Sequence, residues 1–106
     1  MSSDRRDKRR IPVETPCGLR LTPRSGPPPY RPIMAQLVDV SVGGLGVETF
    51  TPLDRGVEVE VKGVLSRPDL RLRVDAAARV AHSKLTAAGR YRIGLEVIDI
   101  SLDRVA

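Results

Sequence analysis

Five basic residues crowd the first ten positions of the chain: Arg5, Arg6, Lys8, Arg9 and Arg10, set against Asp4 and Asp7. A guanidinium stays charged at physiological pH, and its fork of donors matches phosphate oxygens and the O6/N7 edge of guanine. Arg6 and Arg10 are four apart, as are Arg5 and Arg9. In a helical turn each pair lies on one side, and in a tail folded over a ligand it grips from two points. Taken alone, such a run reads first as a solvated basic tail. A second group lies further along, at Asp39-Val40-Ser41-Val42-Gly43-Gly44-Leu45-Gly46. Asp39 and Ser41 are two apart at the end of a strand-like run, so their side chains leave the same face. Beside them, Gly43, Gly44 and Gly46 expose bare backbone to close approach. Two hydrogen-bonding side chains next to a glycine surface suit a flat polar ligand. The plainer reading is a hairpin turn with Asp and Ser as local caps.

Other chemistry is poorly supplied. His82 is the single histidine and Cys17 the single cysteine, so neither has a companion of the kind a zinc site needs. No nucleophile motif surrounds a serine. The glycine turn lacks the Lys-Ser/Thr of a Walker loop, and strand-like segments on both sides of it argue against a dinucleotide fingerprint. The expectation is a non-enzymatic protein with no metal and no cofactor.

The elements that must position these residues read as strands. A chain of 106 residues is one domain's worth and buries roughly two thirds of its unfolded surface. With 41% hydrophobic but only 3% aromatic residues, Val, Leu, Ile and Ala must fill the core. The lone cysteine excludes an internal disulfide and suggests a reducing compartment. No apolar run approaches the roughly eighteen residues of a membrane span, and the charged N-terminus is unlike a signal peptide. The chain therefore reads as soluble and cytoplasmic, without membrane insertion. A formal charge of +5, concentrated at one end, favours an anionic partner.

Residues 1–12 form a basic arm too polar to bury anything. Val13 to Leu21 is a strand candidate limited by Pro12 and Pro16. Thr22 to Pro32, rich in proline, is an exposed, extended loop. Val57 to Lys62 alternates apolar and charged residues, as does Leu70 to Val74, which continues to Ala81; Tyr91 to Ile98 makes a last strand. Ser101 to Ala106 reads as the opening of a helix with Ser101 as N-cap. Short strands separated by turns about every ten residues argue for an antiparallel barrel or sandwich.

The order and spacing of the two polar groups resemble the PilZ domain family. Arg6-Asp7-Lys8-Arg9-Arg10 followed by Ile11-Pro12-Val13 is similar to its Arg-x-x-x-Arg arm. Asp39-Val40-Ser41-Val42-Gly43-Gly44, extended by Leu45-Gly46-Val47, is similar to its Asp-x-Ser-x-x-Gly turn. The turn ending at Gly56 and the segment Arg92-Ile93-Gly94-Leu95 extend the likeness over nearly the whole chain.

The resemblance implies a six-stranded antiparallel β-barrel of split-barrel type over residues 13–106. It also implies a flexible arm at 1–12 and at most a short C-terminal helix. It implies a non-catalytic receptor for cyclic di-GMP, whose arm closes over the nucleotide and so alters docking of a downstream protein partner. On this basis Arg6 and Arg10 contact phosphates and guanine edges, Asp39 and Ser41 hydrogen-bond a guanine, and Gly43 and Gly44 leave room for it. Arg5 implies a stacked pair of nucleotides, and the Arg5/Arg9 pair offers a second register for the clamp. Departures are Val97 where the family often has an aromatic, the curtailed C-terminal helix, and the long proline-rich loop. Two alternatives stay open: an adaptor that keeps the barrel but binds no nucleotide, and a small basic nucleic-acid-binding barrel. The latter is short of stacking rings, with only Tyr30, Phe50 and Tyr91.

Overall fold

Alternation of apolar and polar residues builds the sheet, and the computed structural model describes residues 10–13 and 17–105 of it. The strands are β1 (Ile11–Pro12), β2 (Gly18–Pro23), β3 (Ile33–Ser41), β4 (Gly44–Thr49), β5 (Glu58–Arg67), β6 (Leu70–Leu85) and β7 (Tyr91–Arg104). In β5, Val59 and Val61 turn inward between Glu58, Glu60 and Lys62. In β6, Val74, Ala76, Ala78 and Val80 do the same, with Arg73, Asp75, Ala77 and Arg79 between and beside them on the other face. Every pairing is antiparallel, in the order β1-β3-β2-β5-β6-β7-β4, and β4 pairs back onto β3. Six strands thus close into a barrel, which leaves few free edges, while β1 adds a short piece beside β3. The core is aliphatic, as the composition requires: Leu19, Leu21, Val47, Val59, Val61, Val80 and Ile93 are essentially sealed from water.

Two expectations are corrected. Ser101 opens no helix; it pairs with Asp75, while Leu102 pairs with Val74 and Asp103 with Arg73. Ladder hydrogen bonds and the partner strand override a local capping signal here. Nor is Val13 to Leu21 one strand, because the described parts fall into β1, ending at Pro12, and β2, starting at Gly18. The Thr22–Pro32 segment is an exposed loop from Arg24 onward, as expected.

Of three register shifts in the described strands, at Leu37/Asp39, Ala77/Ala78 and Val80/His82, the first and last decide what the outer wall displays at the site. Ala35 and Leu37 point into the core, so unbroken alternation would carry Asp39 there too. The register instead shifts between Leu37 and Asp39: Leu37 lies opposite Val47, and Asp39 opposite Gly46. Val47 is fully buried in the core, so Gly46, its neighbour, faces outward, and Asp39 with it. The last shift lies between Val80 and His82 in β6. Val80 opposes Leu95, both in the core, whereas His82 opposes Gly94 and faces outward. Bulges re-aim single side chains in this way.

Candidate functional site

Asp39 is the centre of a polar network on the outer wall. Although it faces outward it is only 5% exposed, because two guanidiniums cover it. Arg10 Nη1 donates to Asp39 Oδ1 at 2.9 Å, and Arg92 Nη2 donates to Asp39 Oδ2 at 2.7 Å. Three separate segments therefore meet at one carboxylate. β1 places Arg10: Ile11 pairs with Val40 and Pro12 with Asp39, which brings the preceding residue alongside the site. β7 places Arg92, two residues before Gly94 and on its face. Charge-assisted hydrogen bonds of this kind contribute roughly 1.5–3 kcal/mol each when shielded. The arginine side chains are 47% and 37% exposed, so the lower end applies.

The network continues away from Asp39. Arg92 and Arg90 both approach Glu48 at 3.7 Å, and the Arg90 guanidinium lies 5.2 Å from the Phe50 ring centroid. Three arginines against two carboxylates leave the patch positive. Beside it a shallow groove of about 310 Å³ is lined by residues including Met34, Gln36, Glu48, Phe50 and Arg90. Cys17 borders the same groove; burial pushes its thiol above its ordinary pKa, and its Sγ donates to the Val64 carbonyl at 3.7 Å.

The glycines divide by cause. Gly43 takes φ of 77° in the two-residue link between β3 and β4, a conformation that side chains resist. Gly44 opposes Ser41, and a Cβ there would meet Ser41 Oγ at 3.1 Å and the Leu95 carbonyl at 3.2 Å. Gly46 is the strictest of these three: an added Cβ would run into the Asp39 carboxylate, with Cγ at 2.9 Å. That carboxylate lies flat over the bare strand, which is how an outward-facing acid becomes buried.

Of the residues expected from sequence, Arg10, Asp39, Ser41, Gly43 and Gly44 come together here. Arg5, Arg6 and Arg9 lie outside the described residues. Asp39 does not cap the turn; its oxygens go to arginines. Sequence reasoning gave Arg92 and Glu48 no role in the site, and it read Gly46 as an open surface for a ligand, whereas the Asp39 carboxylate covers it. A usable signal existed, since a glycine inside a strand marks close approach, and Gly46 and Gly94 are such glycines and pair directly. The family model of the PilZ domain matches residues 4–105. Neither the curated proteins nor the solved structures give a match to the chain.

Proposed function

The chain belongs to the PilZ domain family, and from that premise we propose that it is a non-catalytic receptor for cyclic di-GMP, bound on the outer wall around Asp39. The observation that carries this reading is the convergence of Arg10 and Arg92 on a buried carboxylate beside Ser41 and the Gly43-Gly44 turn. The ligand offers anionic phosphates and guanine edges, and the site offers guanidinium forks, a carboxylate and a hydroxyl. A carboxylate has about four lone-pair positions. Two of those on Asp39 hold the arginines, and in this reading guanine N–H groups take up the others as the ligand displaces part of the arginine cover. Asp39 then has two tasks: it orients both guanidiniums before the ligand arrives, and it reads the base.

Arg6, four residues before Arg10, supplies the second arginine of the arm in this reading, with Arg5 and Arg9 beside it. Closure of the arm over the nucleotide changes the surface offered to a protein partner. Micromolar binding needs about 8 kcal/mol net, which two arginine clamps and several guanine hydrogen bonds supply after the ordering cost of the arm. Isothermal titration calorimetry on the purified protein tests it. Cyclic di-GMP should release or absorb measurable heat at tens of micromolar, about the range that this affinity implies, and Arg10→Ala should abolish the signal. Silence from the wild-type protein rejects the reading and leaves the nucleotide-independent adaptor.

A further inference from the structure

The row of paired residues that begins at Asp39 does not stop at the glycines. Asp39 opposes Gly46, Gly46 opposes Gly94, and Gly94 opposes His82. Directly paired residues share a face, so the row crosses β3, β4, β7 and β6 on the outer wall. Its two ends are built alike. At each end a bulge turns a side chain outward that alternation would have sent into the core: Asp39 on β3 and His82 on β6. At each end that side chain then lies over a glycine. A Cβ on Gly94 would run into the Nε2 end of the His82 ring, with Cδ2 at 2.7 Å, just as one on Gly46 would run into the Asp39 carboxylate. Both glycines are buried as a result, yet His82 itself is exposed.

A ring seated on a glycine strand and open to solvent on its other side is a stacking surface. The described aromatic side chains are otherwise placed elsewhere: Phe50 is engaged with Arg90, Tyr30 donates its hydroxyl to the Gly26 carbonyl in the proline-rich loop, and Tyr91 packs against the core. Arg10 and Arg92 are both tied to the Asp39 carboxylate, and these three groups address the polar edges and phosphates of a nucleotide, while a ring is the better partner for its apolar purine faces. We propose that His82 is a ligand-binding residue that stacks on a purine face of the nucleotide held at Asp39. This inference rests on the receptor reading above and adds a wall to that site.

A ring over a strand glycine also shields the backbone and steadies the pairing, so stability and affinity must be read separately. The chain contains no tryptophan, which makes His82→Trp a unique fluorescent reporter. Titrated with cyclic di-GMP, this variant should show quenching of its indole emission that saturates in step with the calorimetric isotherm. His82→Ala, checked for folding by circular dichroism, should bind about tenfold more weakly or worse, the equivalent of one base–aromatic stack. Calorimetric binding by His82→Trp without any change in emission overturns the proposal. So does wild-type affinity in a folded His82→Ala protein, which would reduce the ring to a cover for Gly94. No heat from the wild-type protein would instead reject the receptor reading itself, and the inference with it.

Discussion

Asp39 shows how one residue can be recognised in a sequence and still have most of its role hidden. Its spacing from Ser41 and the glycines marks it as a candidate, but the two arginines it holds come from 29 residues before and 53 residues after it. No local pattern ties them together. Replacing Asp39 with Ala leaves two facing guanidiniums without their acceptor. Because both arginines are partly solvated, the expected loss is about 1–2 kcal/mol in a urea-unfolding experiment, together with loss of nucleotide binding. Asp39→Asn keeps one acceptor oxygen and should fall between Ala and wild type in stability. Cys17 is a residue whose chemistry is suppressed by its setting. Burial raises its thiol pKa, so less thiolate forms near neutral pH. Iodoacetamide should label it more slowly in the native protein at pH 7–8 than in urea; equal rates would contradict this.

At the scale of the elements, two bulges and a few glycines shape the wall that carries the site. The β3–β4 hairpin is plain in the sequence, because apolar runs flank a glycine-rich turn. The bulge that turns Asp39 outward is not, since it depends on which residue of β4 stands opposite, and that register is set by burying Val47 against Leu37. Gly46→Ala should be the most damaging alanine substitution at the site. The new methyl displaces a carboxylate pinned on both sides, at an expected cost of about 1–3 kcal/mol, and affinity for the nucleotide should fall with it. Gly44→Ala meets Ser41 Oγ at 3.1 Å and the Leu95 carbonyl at 3.2 Å; the hydroxyl can turn away, and the carbonyl needs to give by only a few tenths of an ångström. Its melting temperature should therefore drop less than that of Gly46→Ala, and the reverse order would refute this account. Gly63 in β5 is a structural counterpart: a Cβ there would meet Leu19 Cδ2 at 2.6 Å and the Gly18 carbonyl at 2.9 Å, so Gly63→Ala should weaken the β2–β5 seam without touching the site.

At the scale of the whole molecule, barrel closure brings β4 between β3 and β7 and so assembles Asp39, Glu48 and Arg92 on one wall. Binding there should stabilise the barrel. On the receptor reading, cyclic di-GMP at a hundredfold excess over its Kd should add about 2.7 kcal/mol, a rise in Tm of order 10 °C for a domain of this size. A basic barrel acting on nucleic acid would instead show steep loss of oligonucleotide affinity with salt, and no preference for the cyclic dinucleotide in the same melt. The sequence by itself determined the all-β class, the aliphatic core and the Asp39–Gly46 turn, because alternation, composition and turn chemistry are local properties. The tertiary structure alone decided that β7 runs on through Arg104 instead of ending in a helix, that Asp39 is buried under Arg10 and Arg92, and that Asp39 and His82 face each other across Gly46 and Gly94. Those outcomes depend on register between strands distant in sequence, where a shift of one residue moves a side chain from the core to the outer wall.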